Sequence, residues 1–287
     1  MIKRHVELVV LSDLHLGTYG CQAKQLQNYL KTIDPEMLVL NGDIIDIWNF
    51  SKSYFPNSHI QVLRQIIRMT EKGTKTYYLT GNHDEALRKY SGTVIGNFVL
   101  DDKLILELDG KKIWLFHGDI FDTTTKGWAR ILAKLGGKGY DILIWTNRLI
   151  NDLLQYFGRE KISFSKRVKS SVKKAVKWIS NFETTAAALA IDQKFDTVIC
   201  GHIHQPQDRI IQLEHGSVHY LNSGDWVENC TALEYNDRQW TLYKYPDNIT
   251  NLVHNEIVQE DDEDNFNNLS VFNLTSLYEI QRVPKLL

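Results

Sequence analysis

The chain has 287 residues, 43% apolar and 24% charged, with 33 Lys+Arg against 35 Asp+Glu for a formal charge of −2. That balance excludes wholesale disorder, collagen and coiled coil, and leaves room for one or two domains. No apolar run reaches the ~18 to 20 residues of a membrane span. The apolar stretch Val6 to Leu11 is too short for a signal peptide, and Cys21, Cys200 and Cys230 lack the spacing of a disulfide framework or zinc ribbon. The expected compartment is the reducing cytosol.

In chain order, short β-branched or aromatic runs alternate with helical patterns, the signature of an α/β domain. Val6 to Leu11 reads as a buried strand ending at Ser12-Asp13. Gln22 to Thr32 reads as a helix stopped by Asp34-Pro35, and Met37 to Leu40 as a strand running into Asn41-Gly42-Asp43. His59 to Lys72 is helical with Gly73 as its C-terminal stop, and Thr76 to Leu79 is a strand running into Gly81-Asn82-His83-Asp84. Lys103 to Leu108 and Lys112 to Phe116 flank Asp109-Gly110, a hairpin signal, and the second arm ends at His117-Gly118-Asp119. Thr197 to Cys200 runs into Gly201-His202-Ile203-His204; strands around Val218–Leu221, Ala232–Tyr235 and Trp240–Tyr243 close the domain.

Residues 123–192 carry no strand signal. Three apolar stripes at helical spacing, one with Trp128, one with Trp145 and one from Val168 to Ile179, read as an inserted helical subdomain within a domain spanning 1–246. From Lys126 to Lys177 about 13 basic residues face three acidic ones, which makes the remainder of the chain acidic. Such a segment suits phosphates or an anionic membrane surface, and equally a solvated helix face. Residues 247–287 are rich in asparagine and acid and read as a poorly packed tail.

Five strand ends carry the chemistry: Asp13-x-His15, Gly42-Asp43, Gly81-Asn82-His83-Asp84, His117 and Gly201-His202-x-His204. Ligands bind at the carboxyl ends of strands in open α/β sheets, so residues remote in sequence converge there. Side chains at i and i+2 share one side of an extended segment, and imidazole with carboxylate suits Zn, Mn or Fe. Taken singly, each patch also reads as a turn: Asn82 as a helix cap, His117 as a core histidine. All five at the ends of apolar runs point to a metal centre.

The ordered set D-x-H, G-D, G-N-H-D, H, G-H-x-H resembles the calcineurin-like metallophosphoesterases, across roughly residues 8 to 245. The resemblance implies a four-layer α/β/β/α sandwich of two mixed sheets flanked by helices, with two divalent metal ions at one edge. It implies that Asp13, His15, Asp43 and His204 hold one ion and Asp43, Asn82, His117 and His202 the other, Asp43 bridging. His83 becomes the group that protonates the leaving oxygen or binds phosphate, oriented by Asp84; Asn82, His83 and His202 become substrate contacts. Two cations ~3.5 to 4 Å apart call for such a shared carboxylate.

Within that superfamily the chain is similar to the UDP-2,3-diacylglucosamine diphosphatase group, by its length, its helical insert and the Asn222-Ser223-Gly224-Asp225-Trp226-Val227-Glu228 stretch. That group releases UMP and an acylated sugar phosphate in lipid A synthesis. The implied substrate is therefore a phosphorylated lipid or small molecule. Trp128, Trp145 and Trp178 would line an acyl cavity, and the basic insert would touch the cytoplasmic face of the inner membrane, with no nucleic-acid partner expected. One position departs: best-known members of the group carry arginine where this chain has His83. This leaves open a phosphodiesterase or phosphatase acting on another nucleotide, lipid or phosphoprotein.

Overall fold

The computed structural model describes residues 3–48, 54–124 and 165–246, with backbone alone for 122–124 and 165–177. The expected tail at 247–287 and the first two insert stripes, with Trp128 and Trp145, lie outside the described residues.

Strands β1 (Arg4–Leu11), β2 (Ile33–Asn41) and β3 (Lys75–Leu79) run parallel at the centre of a seven-stranded sheet. Its order is β12-β11-β1-β2-β3-β5-β4, with β4 (Thr93–Ile95), β5 (Phe98–Asp101), β11 (Thr231–Asn236) and β12 (Gln239–Lys244) completing it. The second sheet has the order β6-β7-β8-β10-β9, from β6 (Lys103–Leu108), β7 (Lys111–Phe116), β8 (Thr197–Cys200), β9 (Gln207–Leu213) and β10 (Gly216–Asn222). Both sheets are mixed: β7, β8 and β10 run parallel, while β6 and β9 pair antiparallel at the edges.

Alternation along the strands builds the layers, since successive side chains face opposite ways. Leu38 and Leu40 of β2 face helices α1 (Ala23–Thr32) and α2 (Asn57–Glu71), meeting Leu26, Leu30, Val62 and Ile66. Val39 turns inward with Tyr77 and Leu79 against Ile113, Leu115, Ile199 and Leu221 of the second sheet. Val198, Cys200, Val218 and Tyr220 face outward onto Phe182, Ala186, Ala187 and Ala190 of helix α3 (Ser165–Asp192). Three apolar clusters between four layers give the expected sandwich. Each large aliphatic chain buried there contributes roughly 1.5–3 kcal/mol.

The second half of α3 therefore belongs to the sandwich, although the sequence placed all of 123–192 in the insert. Its alanines let the helix approach the sheet closely. Helix α2 ends as its glycine implied: Gly73 has φ +115, its N–H reaches the Thr70 carbonyl and the Thr74 N–H reaches that of Met69, a Schellman closure. Asp109 and Gly110 both adopt positive φ, 51° and 74°, in the hairpin between β6 and β7. Helix α1 stops at Thr32, but Asp34-Pro35 lies inside β2. Pro35 pairs there with Val6 of β1, ahead of Met37, where β3 joins on the other side, so its missing N–H breaks no ladder. Among the described residues no helix is long and apolar enough to cross a membrane.

Candidate metal centre

Five strands, parallel within each sheet, deliver the candidate residues to one edge: β1, β2 and β3 from the first sheet, β7 and β8 from the second. Asp13 and His15 follow β1, Asp43 follows β2, Asn82 and His83 follow β3, His117 follows β7, and His202 and His204 follow β8. The loops are locked to one another: Asp13 N–H donates to Gly42 O (3.1 Å), His15 N–H to Asp43 O (3.0 Å) and Gly201 N–H to His117 O (3.0 Å). Five of these residues, Asp13, His15, Asp43, His202 and His204, have φ between 49° and 69°. Left-handed backbone at a non-glycine residue is strained and persists where the surroundings impose it, most often at functional sites.

Asp13 and Asp43 are fully buried, and each spends one carboxylate oxygen on a backbone N–H from another loop. Asp13 Oδ2 accepts from His202 N at 3.0 Å, and Asp43 Oδ1 accepts from His83 N at 2.8 Å. Their other oxygens turn to imidazoles: Asp13 Oδ1 stands 3.2 Å from His204 Nε2, and Asp43 Oδ2 stands 3.2 Å from His117 Nε2. His15 Nε2 lies 3.2 Å from His204 Nε2. Three ligand clusters result, namely Asp13-His15-His204, His15-Asp43-His83 and Asp43-His117-His202, with ligand atoms of each within 4.8 Å of one another. Asp43 belongs to two of them.

This donor set fits divalent ions. His117 Nδ1 lies 2.9 Å from the Asn41 carbonyl and so donates its proton there, which leaves Nε2 as the nitrogen that faces Asp43 and could bind an ion. Asp13 Oδ1, Asn82 Oδ1 and His117 Nε2 are buried yet make no hydrogen bond. Such atoms are costly unless something cationic satisfies them. Two atoms bound to one ion at ~2.0–2.2 Å stand about 3.0–3.5 Å apart, which matches the three 3.2 Å separations between side chains distant in sequence.

The electrostatics agree. Burial pushes the Asp13 carboxyl up, but His204 and His117 outweigh it and bring it to about 2. Burial also opposes ionisation of Asp43, and His117 holds it well below the usual carboxylate range. Burial lowers His204 while Asp13 raises it to about 9, and the same balance, set by Asp43 and Asp13, lifts His117.

His83 lies at the mouth with its Nε2 3.9 Å from Asp43 Oδ2, and the Trp48 ring covers it with centroids 5.0 Å apart. Its orientation differs from the expectation. Asp84 spends its oxygens on the N–H groups of Ile44 (3.0 Å) and Gly81 (2.6 Å) and on the Tyr78 hydroxyl (2.6 Å), so it ties two loops together. The carboxylate that holds His83 belongs to Asp46, whose Oδ1 is 2.9 Å from His83 Nδ1 and whose Oδ2 is 3.3 Å from His15 Nδ1. Burial works against the His83 imidazolium, and the Asp46 hydrogen bond outweighs it and raises the pKa.

Asp46 was not singled out in the sequence, nor was Asp225. Buried Asp225 caps Val227 and Asn229 N–H (2.7 and 3.2 Å) and holds the Asn229 amide, which in turn donates to the His204 carbonyl at 2.9 Å. The close spacing of Gly42-Asp43 and Asp46 was the available signal for the first; the second was quoted only within the 222–228 stretch, with no role assigned to it. On the far side, Trp178 lies 6.1 Å from His202, ring to ring, and is 38% exposed.

Comparison with known proteins follows the same lines. A sequence model described as calcineurin-like phosphoesterase matches residues 6–206. The chain is 26% identical over 245 residues to a UDP-2,3-diacylglucosamine hydrolase of Aliivibrio fischeri, covering 83% of this chain and 98% of that one. It is 24% identical over 240 residues to the protein of the same name from Stenotrophomonas maltophilia, covering 81% and 96%. It is 26% identical over 232 residues to that of Aeromonas hydrophila, covering 78% and 92%.

Proposed function

The chain belongs to the calcineurin-like phosphoesterases, and from that premise we propose that it cleaves the diphosphate of UDP-2,3-diacylglucosamine to UMP and 2,3-diacylglucosamine 1-phosphate, in lipid A synthesis. It is a hydrolase that works with divalent metal ions. The substrate reading is supported by relatives of that name aligned over 92 to 98% of their own length. The observation that carries the chemistry is Asp43, whose carboxylate clusters with His117 and His202 on one side and with His15 and His83 on the other, His15 in turn clustering with Asp13 and His204.

In this reading Asp13, His15, Asp43 and His204 hold one ion and Asp43, Asn82, His117 and His202 the other, with manganese as the favoured metal and iron or zinc as substitutes. When bound, the ions neutralise phosphoryl charge and acidify water near neutral pH. The chain's own groups do the rest. Asp43, fixed by the His83 N–H, and Asp13, fixed by the His202 N–H, set the spacing of the two clusters. His83, charged and aimed by Asp46, donates its Nε2 proton to the leaving oxygen. Asn82 and His202 orient the phosphate beside it. Trp48 packs beside the His83 ring.

The insert at 123–192, with its basic residues between Lys126 and Lys177, would hold the enzyme on the cytoplasmic face of an anionic membrane. Co-sedimentation with anionic vesicles tests this, and its absence refutes it. A second reading keeps the chemistry and changes the substrate; what favours it is His83 in place of the arginine of the group's best-known members. Turnover of UDP-2,3-diacylglucosamine in Mn²⁺, with both products identified by mass, decides between them. The first reading requires UMP and the acylated sugar phosphate, formed faster than any product from a generic aryl phosphodiester. Equal rates refute it.

A further inference from the structure

The loop carrying Asp13 and His15 turns back at once, because the Thr18 N–H and hydroxyl both donate to the His15 carbonyl, at 3.2 and 2.9 Å. A turn closed in this way keeps its ends within ~7 Å. Tyr19, the next residue, therefore has its Cα within about 11 Å of that of His15. It is 81% exposed, yet its ring is not free to wander. It lies on the ring of Tyr54 with centroids 3.7 Å apart and planes 32° apart. Tyr54 is half-buried and meets the edge of the His59 ring, at 5.9 Å and 88°. Buried His59 accepts the Gly17 N–H on Nδ1 at 2.9 Å, and Gly17 lies in the same loop as Tyr19. Loop, imidazole and two phenol rings thus brace one another, and they leave the other face of the Tyr19 ring open, four residues after the ligand His15.

We propose that this open face of Tyr19 is the platform on which the pyrimidine ring of the nucleotide stacks, an inference that rests on the UDP-sugar reading above. A rigid ring with two torsions loses little freedom on binding, and any base offers it a π-face. A single flat, open face with its hydroxyl in water suits a planar polar ring. An acyl chain, by contrast, needs enclosure, and the partly exposed apolar residues Ile47 and Trp48 on the His83 side provide better company for one.

The test is isothermal titration of the Mn²⁺-loaded full chain with UMP and with ribose 5-phosphate, in the wild type, Tyr19→Ala and Tyr19→Phe. The wild type should bind UMP more tightly than ribose 5-phosphate. Tyr19→Ala should weaken UMP roughly five- to hundredfold and bring the two ligands level, and Tyr19→Phe should restore the difference. Equal affinities in the wild type, or a preference for UMP that survives in Tyr19→Ala, would overturn the platform. So would a Tyr19→Ala effect on 2,3-diacylglucosamine 1-phosphate in place of UMP, since that would put the acyl end there. If the wild type fails to cleave UDP-2,3-diacylglucosamine but still prefers UMP through Tyr19, the platform stands and only that substrate falls.

Discussion

Gly81 links backbone space directly to the chemistry. A methyl group added to its Cα would lie 2.2 Å from Asp43 Oδ1, 2.7 Å from Asp43 N and 2.8 Å from His117 Cδ2. Restoring ordinary contact requires the Asp43 carboxylate to retreat by about 1 Å, and a misplacement of that size costs on the order of 100-fold in rate. Asp43 cannot retreat freely, because its Oδ1 is held by the His83 N–H and its backbone by His15. Overpacking of this kind destabilises by roughly 1–3 kcal/mol, which in a domain of this size lowers Tm by about 2–12 °C. Gly81→Ala should therefore fold, melt slightly early, hold less metal and lose about two orders of magnitude in kcat/KM. The measurements are thermal melting, metal content by plasma mass spectrometry, and steady-state kinetics. Wild-type metal content and wild-type turnover in the folded variant would refute the placement of Gly81 against Asp43.

Three other outcomes follow from the same geometry. Asp46→Asn removes the charge that, against burial, keeps His83 protonated, so the alkaline limb of the kcat profile should move to lower pH; an unmoved limb contradicts the Asp46–His83 pair. His83→Arg keeps a cation there without a proton that titrates in the working range, so that limb should vanish while hydrolysis persists at a reduced rate, and its survival would assign the limb to another group. In the metal-stripped protein, His204 raised to about 9 by Asp13 adds stability that is fully present below its unfolded value of ~6.5 and is lost as pH climbs toward 9. Asp13, lowered to about 2, adds stability above its unfolded value of ~3.9 that is lost toward pH 2. Melts of EDTA-treated protein should thus show Tm falling between pH 6.5 and 9, and a flat Tm across that window contradicts the contact.

The ligand set was legible because metal chemistry restricts both residue type and place. Imidazoles and carboxylates stand where apolar runs stop, as at Leu11 before Asp13 and Cys200 before His202. The strands themselves were legible where both faces are buried, as in β8, whose four residues the hydrophobic run matched end to end. Three others were not. Thr93–Ile95 and Phe98–Asp101 are too short for a period to emerge, and Gln207–Leu213 pairs on one side only, with Asp208 and Arg209 breaking its apolar pattern by pairing with His219 and Glu183. Asp46, Asp84 and Asp225 expose a different limit. Each is a buried acid next to a turn, and only the fold reveals that Asp46 holds two imidazoles while the other two hold backbone N–H groups.

The bridging role of Asp43 is tested most directly by electron paramagnetic resonance of the Mn²⁺-reconstituted chain, with metal stoichiometry measured on the same sample. Two ions per chain with an exchange-coupled spectrum are expected in the wild type. In folded Asp43→Ala the coupling should be lost and at least one ion should go with it. A single ion in the wild type, or a coupled pair that persists without the Asp43 carboxylate, would contradict a centre built on that shared acid.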